Sequence, residues 1–206
     1  SEVWSGIPGS PTDHHSAPYA MTEEFAAVYR LHPLIPDEYR FFSLSDSTVS
    51  RYKSFTDIQG NKTRSTIEEL GIDNVWFSFG VAHPGQLTLG NFPRFLQEFR
   101  RIKRLPNGDP EILDVAAIDI FRDRERGVPR YNAFRRMLRM KPMKSFEELN
   151  PEWAKKLNDL YQGDVERLDL MVGLYAEEPP PGFAISDTAF RIFTLMAPRR
   201  LKSDRF

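Results

Sequence analysis

The sequence predicts a mainly α fold with little or no sheet, and three observations carry that prediction. Apolar residues recur at helical spacing in several separate segments, such as Val165, Leu168, Met171, Val172 and Tyr175. Helix-starting signals stand ahead of three of them, at Thr22, Ser145 and Ser186. No segment shows the sustained apolar–polar alternation of a half-buried strand. The 206 residues fit one domain or at most two, and residues 1–206 are read here as one. With 40% hydrophobic residues and 16 Phe, the chain can bury a sizeable core.

Residues 1–20 hold Gly6, Pro8, Gly9, Pro11 and Pro18 and read as irregular. Residues 22–32 read as a helix, with Thr22 as N-cap and Glu23 and Glu24 in its first turn. Pro33 and Pro36 end or kink it. Residues 37–62 are mixed and polar, with room for short extended pieces. Residues 64–81 predict a helix followed by a short apolar piece, Val75-Trp76-Phe77, and Gly85 and Gly90 flank a turn. Residues 91–102 predict a basic amphipathic helix through Phe92, Phe95, Leu96 and Phe99. Residues 110–124 predict another, with Ile112, Val115, Ala116, Ile118 and Ile120 mostly toward a core. Ser145-Phe146-Glu147-Glu148 is a capping box that opens a short helix, and residues 151–161 make the next. The helix over 164–177 is broken by Pro179-Pro180-Pro181-Gly182. Ser186 then caps a last helix to about Leu201, with Phe190, Ile192, Phe193 and Met196 apolar.

Charge and composition exclude several function classes. A net charge of -1 gives no bulk attraction to nucleic acid or an anionic surface. The chain has no cysteine, hence no disulfide framework, no thiolate nucleophile and no Cys-rich metal site, which fits a reducing compartment. No apolar run approaches the roughly 18 residues of a membrane span. The opening Ser1-Glu2-Val3-Trp4 lacks a basic stretch followed by an apolar one, so no signal peptide is expected, and it lacks a Met. A cytoplasmic or peripheral-membrane location is favoured.

Tyr29 stands three residues before His32. On a helix that is about 60° of rotation and about 4.5 Å of rise, so one face would carry a metal-capable imidazole beside a redox-capable phenol. Spacing alone leaves two readings open: a His–Tyr pair satisfied within a core, or a chemical site. A mononuclear site from Asp13, His14, His15 and His83 is weaker, since adjacent histidines cannot easily both face one ion.

A resemblance favours the chemical site. Glu24-Phe25, Tyr29, His32-Pro33-Leu34 and Pro36-Asp37 resemble the proximal haem helix of the cyclooxygenase and fatty acid α-dioxygenase branch of the animal-type haem peroxidase superfamily. The resemblance implies a haem-peroxidase-like helical domain, with His32 the proximal axial ligand to the iron of haem b. It implies that Tyr29 becomes the radical that takes hydrogen from a fatty acid. Ordinary peroxidases of the superfamily keep the His without this Tyr. The segment Asp119–Arg136, ending in Tyr131-Asn132-Ala133-Phe134-Arg135, is similar to the superfamily's arginine-rich segment. By that likeness Asn132 would bond the far nitrogen of His32, and Arg135 would sit near a haem propionate. Read without it, Arg122, Arg124, Arg126, Arg135 and Arg136 form a solvated charged face.

Three further blocks agree. Lys141–Leu149 is similar to a cyclooxygenase segment, and Val165–Leu174 resembles a superfamily helix near the substrate channel. Gly182–Phe190, with Arg199-Arg200-Leu201 and Asp204-Arg205-Phe206, resembles the α-dioxygenase version. Arg199 or Arg200 lies where a C-terminal arginine would hold a substrate carboxylate, and Phe25, Leu34 and the Met171–Tyr175 face are candidate channel walls. The superfamily's distal histidine lies well upstream of the proximal helix, and His14 and His15 are too close to His32 to serve. The chain is therefore expected to be the proximal, C-terminal part of a larger haem oxygenase catalytic domain. The missing N-terminal part would bring the distal haem half and any Ca2+ site. The implied partners are a fatty acid, dioxygen, a peroxide activator and that distal half, with peripheral membrane contact and no nucleic acid. The implied reaction is fatty acid dioxygenation, with α-oxidation favoured. The alternatives are a hydrogen-peroxide-dependent haem peroxidase, which Tyr29→Phe would separate, and a non-catalytic helical remnant without haem.

Overall fold

Thr22 starts the first helix as its sequence requires, its Oγ1 accepting the Phe25 N–H at 3.3 Å. The structure, a computed structural model, describes residues 22–83, 85–104 and 106–202. Helix α1 runs Glu23–Val28, so it stops four residues short of the predicted end. Tyr29 is its C-cap, and His32 opens a separate 3-10 turn, His32–Leu34. Tyr29 and His32 therefore share no helical face, which corrects the spacing argument. The cause is Pro33: a helix carried through His32 would leave the Tyr29 carbonyl facing a residue without an N–H. Leu31 N–H takes that carbonyl instead, at 2.9 Å.

Strands β1 (Glu38–Phe42) and β2 (Val49–Ser54) form an antiparallel pair, followed by α2 (Phe55–Ile58). The predicted helix over 64–81 is two helices, α3 (Lys62–Leu70) and α4 (Ile72–Val81). Gly71, at φ +82, makes the break, a backbone state that suits glycine. The apolar Val75-Trp76-Phe77 is helical within α4. The predicted helix over 91–102 is only α5 (Arg94–Gln97), followed by strand β3 (Phe99–Arg104). The predicted helix over 110–124 opens with strand β4 (Pro110–Leu113), antiparallel to β3, before α6 (Val115–Glu125) begins. The remaining helices are α7 (Tyr131–Met137), α8 (Phe146–Leu149), α9 (Ala154–Tyr161), α10 (Leu170–Ala176) and α11 (Asp187–Lys202). The fold is mainly α, and sheet among the described residues is confined to the two hairpins. Ser145 caps α8 as expected, but Glu148 reaches back to the Lys144 N–H at 2.7 Å rather than to Ser145.

The chain divides into two compact units. The first comprises residues up to Leu31, Leu87–Asn91, and Ala116 onward. Its core is built on Tyr131, Phe146, Leu168, Leu170 and Ile192, all but fully buried. Charged groups are packed into that core in pairs. Arg135 on α7 donates from Nη1 to Thr188 Oγ1 at 2.7 Å and lies 3.4 Å from Glu177 Oε1, while Tyr131 Oη donates to Glu177 Oε2 at 2.8 Å. The second unit comprises His32–Gln86 and Phe92–Val115. There α4 packs on the first hairpin through Val75 and Ser78, and Ser78 Oγ accepts the Phe42 N–H at 2.8 Å. An apolar cavity of about 810 Å³ lies beside them, lined by Phe41, Phe55, Ile67, Val75 and Phe79 among others.

Candidate functional site

In the first unit α1 and α11 carry a run of stacked rings. Phe25 stacks on Tyr29 at 5.1 Å, and Phe193 of α11 lies 6.3 Å from Phe25 and 6.4 Å from Tyr29, within the range where aromatic pairs attract. A cavity of about 210 Å³ opens there, lined by Tyr29, Phe25, Phe193, Met196, Ala197 and Leu201, with Arg200 its one charged side chain among the described residues. Tyr29 is 57% exposed, so its phenol is accessible without any movement of the core. An apolar hollow with a single guanidinium has the chemistry of a site for an acyl chain ending in a carboxylate. Tyr29 and Arg200 are thus brought together, whereas Arg199 does not line this cavity. Of the other predicted walls, Phe25 contributes, Leu34 belongs to the second unit, and Met171 and Tyr175 are buried in the core.

His32 lies in the second unit, half-buried, with its ring edge-on to Phe92 at 5.6 Å. A haem brings four equatorial nitrogens of its own and needs one axial ligand from the protein, so a single imidazole fits. Among the described residues no group of three or more His, Cys, Asp or Glu could hold a bare ion. His83 is exposed, and Asp13, His14 and His15 lie outside the described residues.

Asn132 and Arg135 sit on α7 in the first unit. Asn132 Nδ2 donates to Met143 O and to Glu166 Oε1, both at 2.9 Å, and its Oδ1 accepts the Met143 N–H at 2.9 Å. Both amide hydrogens are engaged, so toward an imidazole N–H this side chain can act only as an acceptor, through its Oδ1. Arg135 is buried and donates from Nε to Lys141 O at 2.8 Å, besides its Nη1 bonds to Thr188 and the Tyr131 hydroxyl. Its Nη2 carries none of these bonds. Arg122 is exposed, but four other arginines of this segment are not merely solvated. Arg124 and Arg130 both bind the buried Asp169, Arg126 pairs with Glu23 at 2.5 Å, and Arg136 pairs with Glu166 at 2.6 Å.

One cluster escaped the sequence reading. Helix α6 does not bury an isoleucine face: its buried residues are Asp119 and Asp123, while Phe121 is 61% exposed. Arg30 reaches them, with Nη1 at 2.5 Å from Asp119 Oδ1 and Nη2 at 3.6 Å from Asp123 Oδ1. Two aspartates four residues apart on one predicted helix were the available signal. Burial pushes the Asp123 carboxyl up to about 6; the charges of Asp119 and Asp169 add to this and Arg30 opposes it. The folded chain therefore holds a proton that an unfolded Asp releases near pH 4, so this group weakens folding as pH rises between about pH 4 and about pH 6. Thermal unfolding across that window should show Asp123→Asn gaining on the wild type as pH rises. Parallel curves would remove this assignment.

Comparison with known proteins gives three findings. A family model described as animal haem peroxidase matches residues 5–206. Alpha-dioxygenase 1 of Arabidopsis thaliana is 41% identical, the match taking in 100% of this chain and 34% of that protein. Among solved structures, a fatty acid alpha-dioxygenase of Arabidopsis thaliana superposes with a TM-score of 0.83 at 40% identity, covering 97% of this chain and 34% of that one. A variant of the Oryza sativa fatty acid alpha-dioxygenase solved with palmitic acid gives 0.80 at 35% identity, over 99% of this chain and 37% of that one. The chain spans about a third of the length of these relatives.

Proposed function

The chain belongs to the animal haem peroxidase family, and we propose that it is the proximal, haem-ligating part of a larger fatty acid dioxygenase domain. The observation that carries this reading is the cavity of about 210 Å³ shared by Tyr29 and Arg200. The likeness to fatty acid alpha-dioxygenases supports a fatty acid as its substrate.

By the resemblance His32 would hold the haem iron, and Asn132, with both amide hydrogens engaged, offers Oδ1 as an acceptor of the kind that fixes the tautomer of a ligating imidazole. Arg135 would meet a propionate through Nη2, its other nitrogens holding α7 in the core. Bound there, haem b supplies the one-electron oxidising power that a peroxide delivers. Loss of an electron and a proton from Tyr29 leaves a phenoxyl radical. That radical takes a hydrogen atom from a substrate C–H bond, restoring the phenol. Dioxygen adds to the carbon radical. A hydrogen atom returned by Tyr29 completes the hydroperoxide and regenerates the phenoxyl radical for the next cycle.

Arg200 selects the carbon. A fatty acid carboxylate on its guanidinium would bring the carbon next to the carboxylate into the small cavity that Arg200 shares with Tyr29. Attack there is α-oxidation. The remaining two thirds of the relatives' length would carry the distal half of the haem pocket and any calcium site. Among the described residues no helix is long and apolar enough to cross a membrane. A cytoplasmic protein, or one resting on a membrane surface where its substrate lies, fits the proposal. Palmitic acid, oxygen and a trace of peroxide, given to the complete haem-loaded protein, should yield the 2-hydroperoxide or the aldehyde one carbon shorter. Oxygen inserted in mid-chain, or no oxygenation, would overturn the proposal.

A further inference from the structure

We propose that Arg30 is a positioning residue for Tyr29, an inference that rests on the fatty acid oxygenation proposed above. Arg30 follows Tyr29 directly in the chain, and it is held from both ends. Its guanidinium meets Asp119 at 2.5 Å and Asp123 at 3.6 Å, both on α6. Its carbonyl accepts the Tyr175 hydroxyl of α10 at 2.5 Å. All three partners are buried, at 2%, 4% and 8% exposure. The phenol, by contrast, stands in the open at the end of a six-residue helix.

That contrast gives Arg30 its role. Tyr29 lies past the last residue of α1, so the helix holds its backbone only through the Tyr29 N–H, bonded to Phe25 O at 2.9 Å, while its ring stacks on Phe25. The direction in which its side chain leaves the backbone depends on the residue that follows. A helix of six residues is too short to hold its own end, and tertiary contacts are what hold it. Arg30 supplies them on its side chain and its carbonyl together. An arginine suits the task because its planar fork can bind two carboxylates at once, which a lysine ammonium holds with less geometric definition. The resulting clamp carries the rigidity of α6 and α10 to the residue beside the radical site. Hydrogen abstraction depends on the distance and angle between phenoxyl oxygen and substrate carbon, so a loosened Tyr29 would lose oxygenation while leaving peroxide chemistry at a haem intact.

The test uses the complete haem-loaded protein with Arg30→Gln, Arg30→Lys and Tyr175→Phe. The electron paramagnetic resonance line shape of a tyrosyl radical reports the torsion of its ring, and amide exchange at Leu31 in haem-free protein reports the clamp itself. Arg30→Gln should alter the line shape, speed Leu31 exchange and lower the kcat of fatty acid oxygenation roughly tenfold to a hundredfold, with peroxidase turnover unchanged. Arg30→Lys should recover part of each. Should Arg30→Gln not fold, Tyr175→Phe keeps the buried ring and removes only the bond to the Arg30 carbonyl, and it should shift all three readouts in the same direction. A wild-type line shape and kcat in the folded variants overturns the role, as does an equal fall of both activities. A wild type that forms no tyrosyl radical and oxygenates no fatty acid overturns the functional reading instead, and unchanged Leu31 exchange in the variants then overturns the clamp on its own.

Discussion

Replacing Gly173 with alanine should destabilise the first unit by about 3 kcal/mol or more, a fall of roughly 10 °C in melting temperature. Gly173 lies inside α10, where an added Cβ would stand 2.3 Å and 2.4 Å from ring carbons of Tyr131 and 2.8 Å from its Cβ. No real side chain tolerates contacts that short, so the ring or the helix would have to shift. The ring cannot shift cheaply. Tyr131 is fully buried, its hydroxyl donates to Glu177 at 2.8 Å, and the Arg135 guanidinium lies over its face at 5.6 Å. Moving it would strip a partner from a buried carboxylate, which carries a penalty of its own. Chemical or thermal unfolding of the variant measures the effect. A change within about 0.5 kcal/mol would mean that α7 and α10 do not approach as closely as described.

How much of this was legible depended on whether local chemistry or distant partners set each feature. Thr22 and Ser145 announced helix starts because a cap is a local hydrogen bond, and both caps are present. The end of α1 was legible only to within a turn: Pro33 announced a stop, but its missing N–H already withdraws a partner from the Tyr29 carbonyl, so the helix ends at Val28 rather than at His32. The hairpin of β1 and β2 gave no alternating pattern because Phe41 is the one buried residue in its strands. The second hairpin did leave a signal: Asn107-Gly108, with Gly108 at φ +88, is the turn pair that hairpins favour. Its basic strand, read as a helix face, outweighed that signal. At the site, Tyr29 and Arg200 were found through a resemblance, and it is folding that sets both around one cavity. Asp119 and Asp123 were missed because buried carboxylates on a helix make sense only once their arginine is in view.

The second large effect is expected at Tyr29. Tyr29→Phe removes one hydroxyl from an exposed side chain and leaves its ring to stack on Phe25 at 5.1 Å and Phe193 at 6.4 Å. No hydrogen bond from that hydroxyl to a described residue is lost, so stability should change by less than about 0.5 kcal/mol. The chemistry should change completely, because a phenylalanine ring has no O–H to surrender and cannot form the phenoxyl radical. With His32 as the proposed ligand, haem binding would not involve this hydroxyl, so the Soret band should persist. The decisive measurement is the pair of turnover rates, fatty acid oxygenation and peroxidase reduction of peroxide, taken on wild type and Tyr29→Phe in the same haem-loaded preparation. The expected result is oxygenation reduced to background with peroxidase turnover within about twofold of wild type. Equal loss of both activities, or oxygenation that survives the substitution, would contradict a radical on Tyr29 and with it the assignment of this chain to fatty acid dioxygenation.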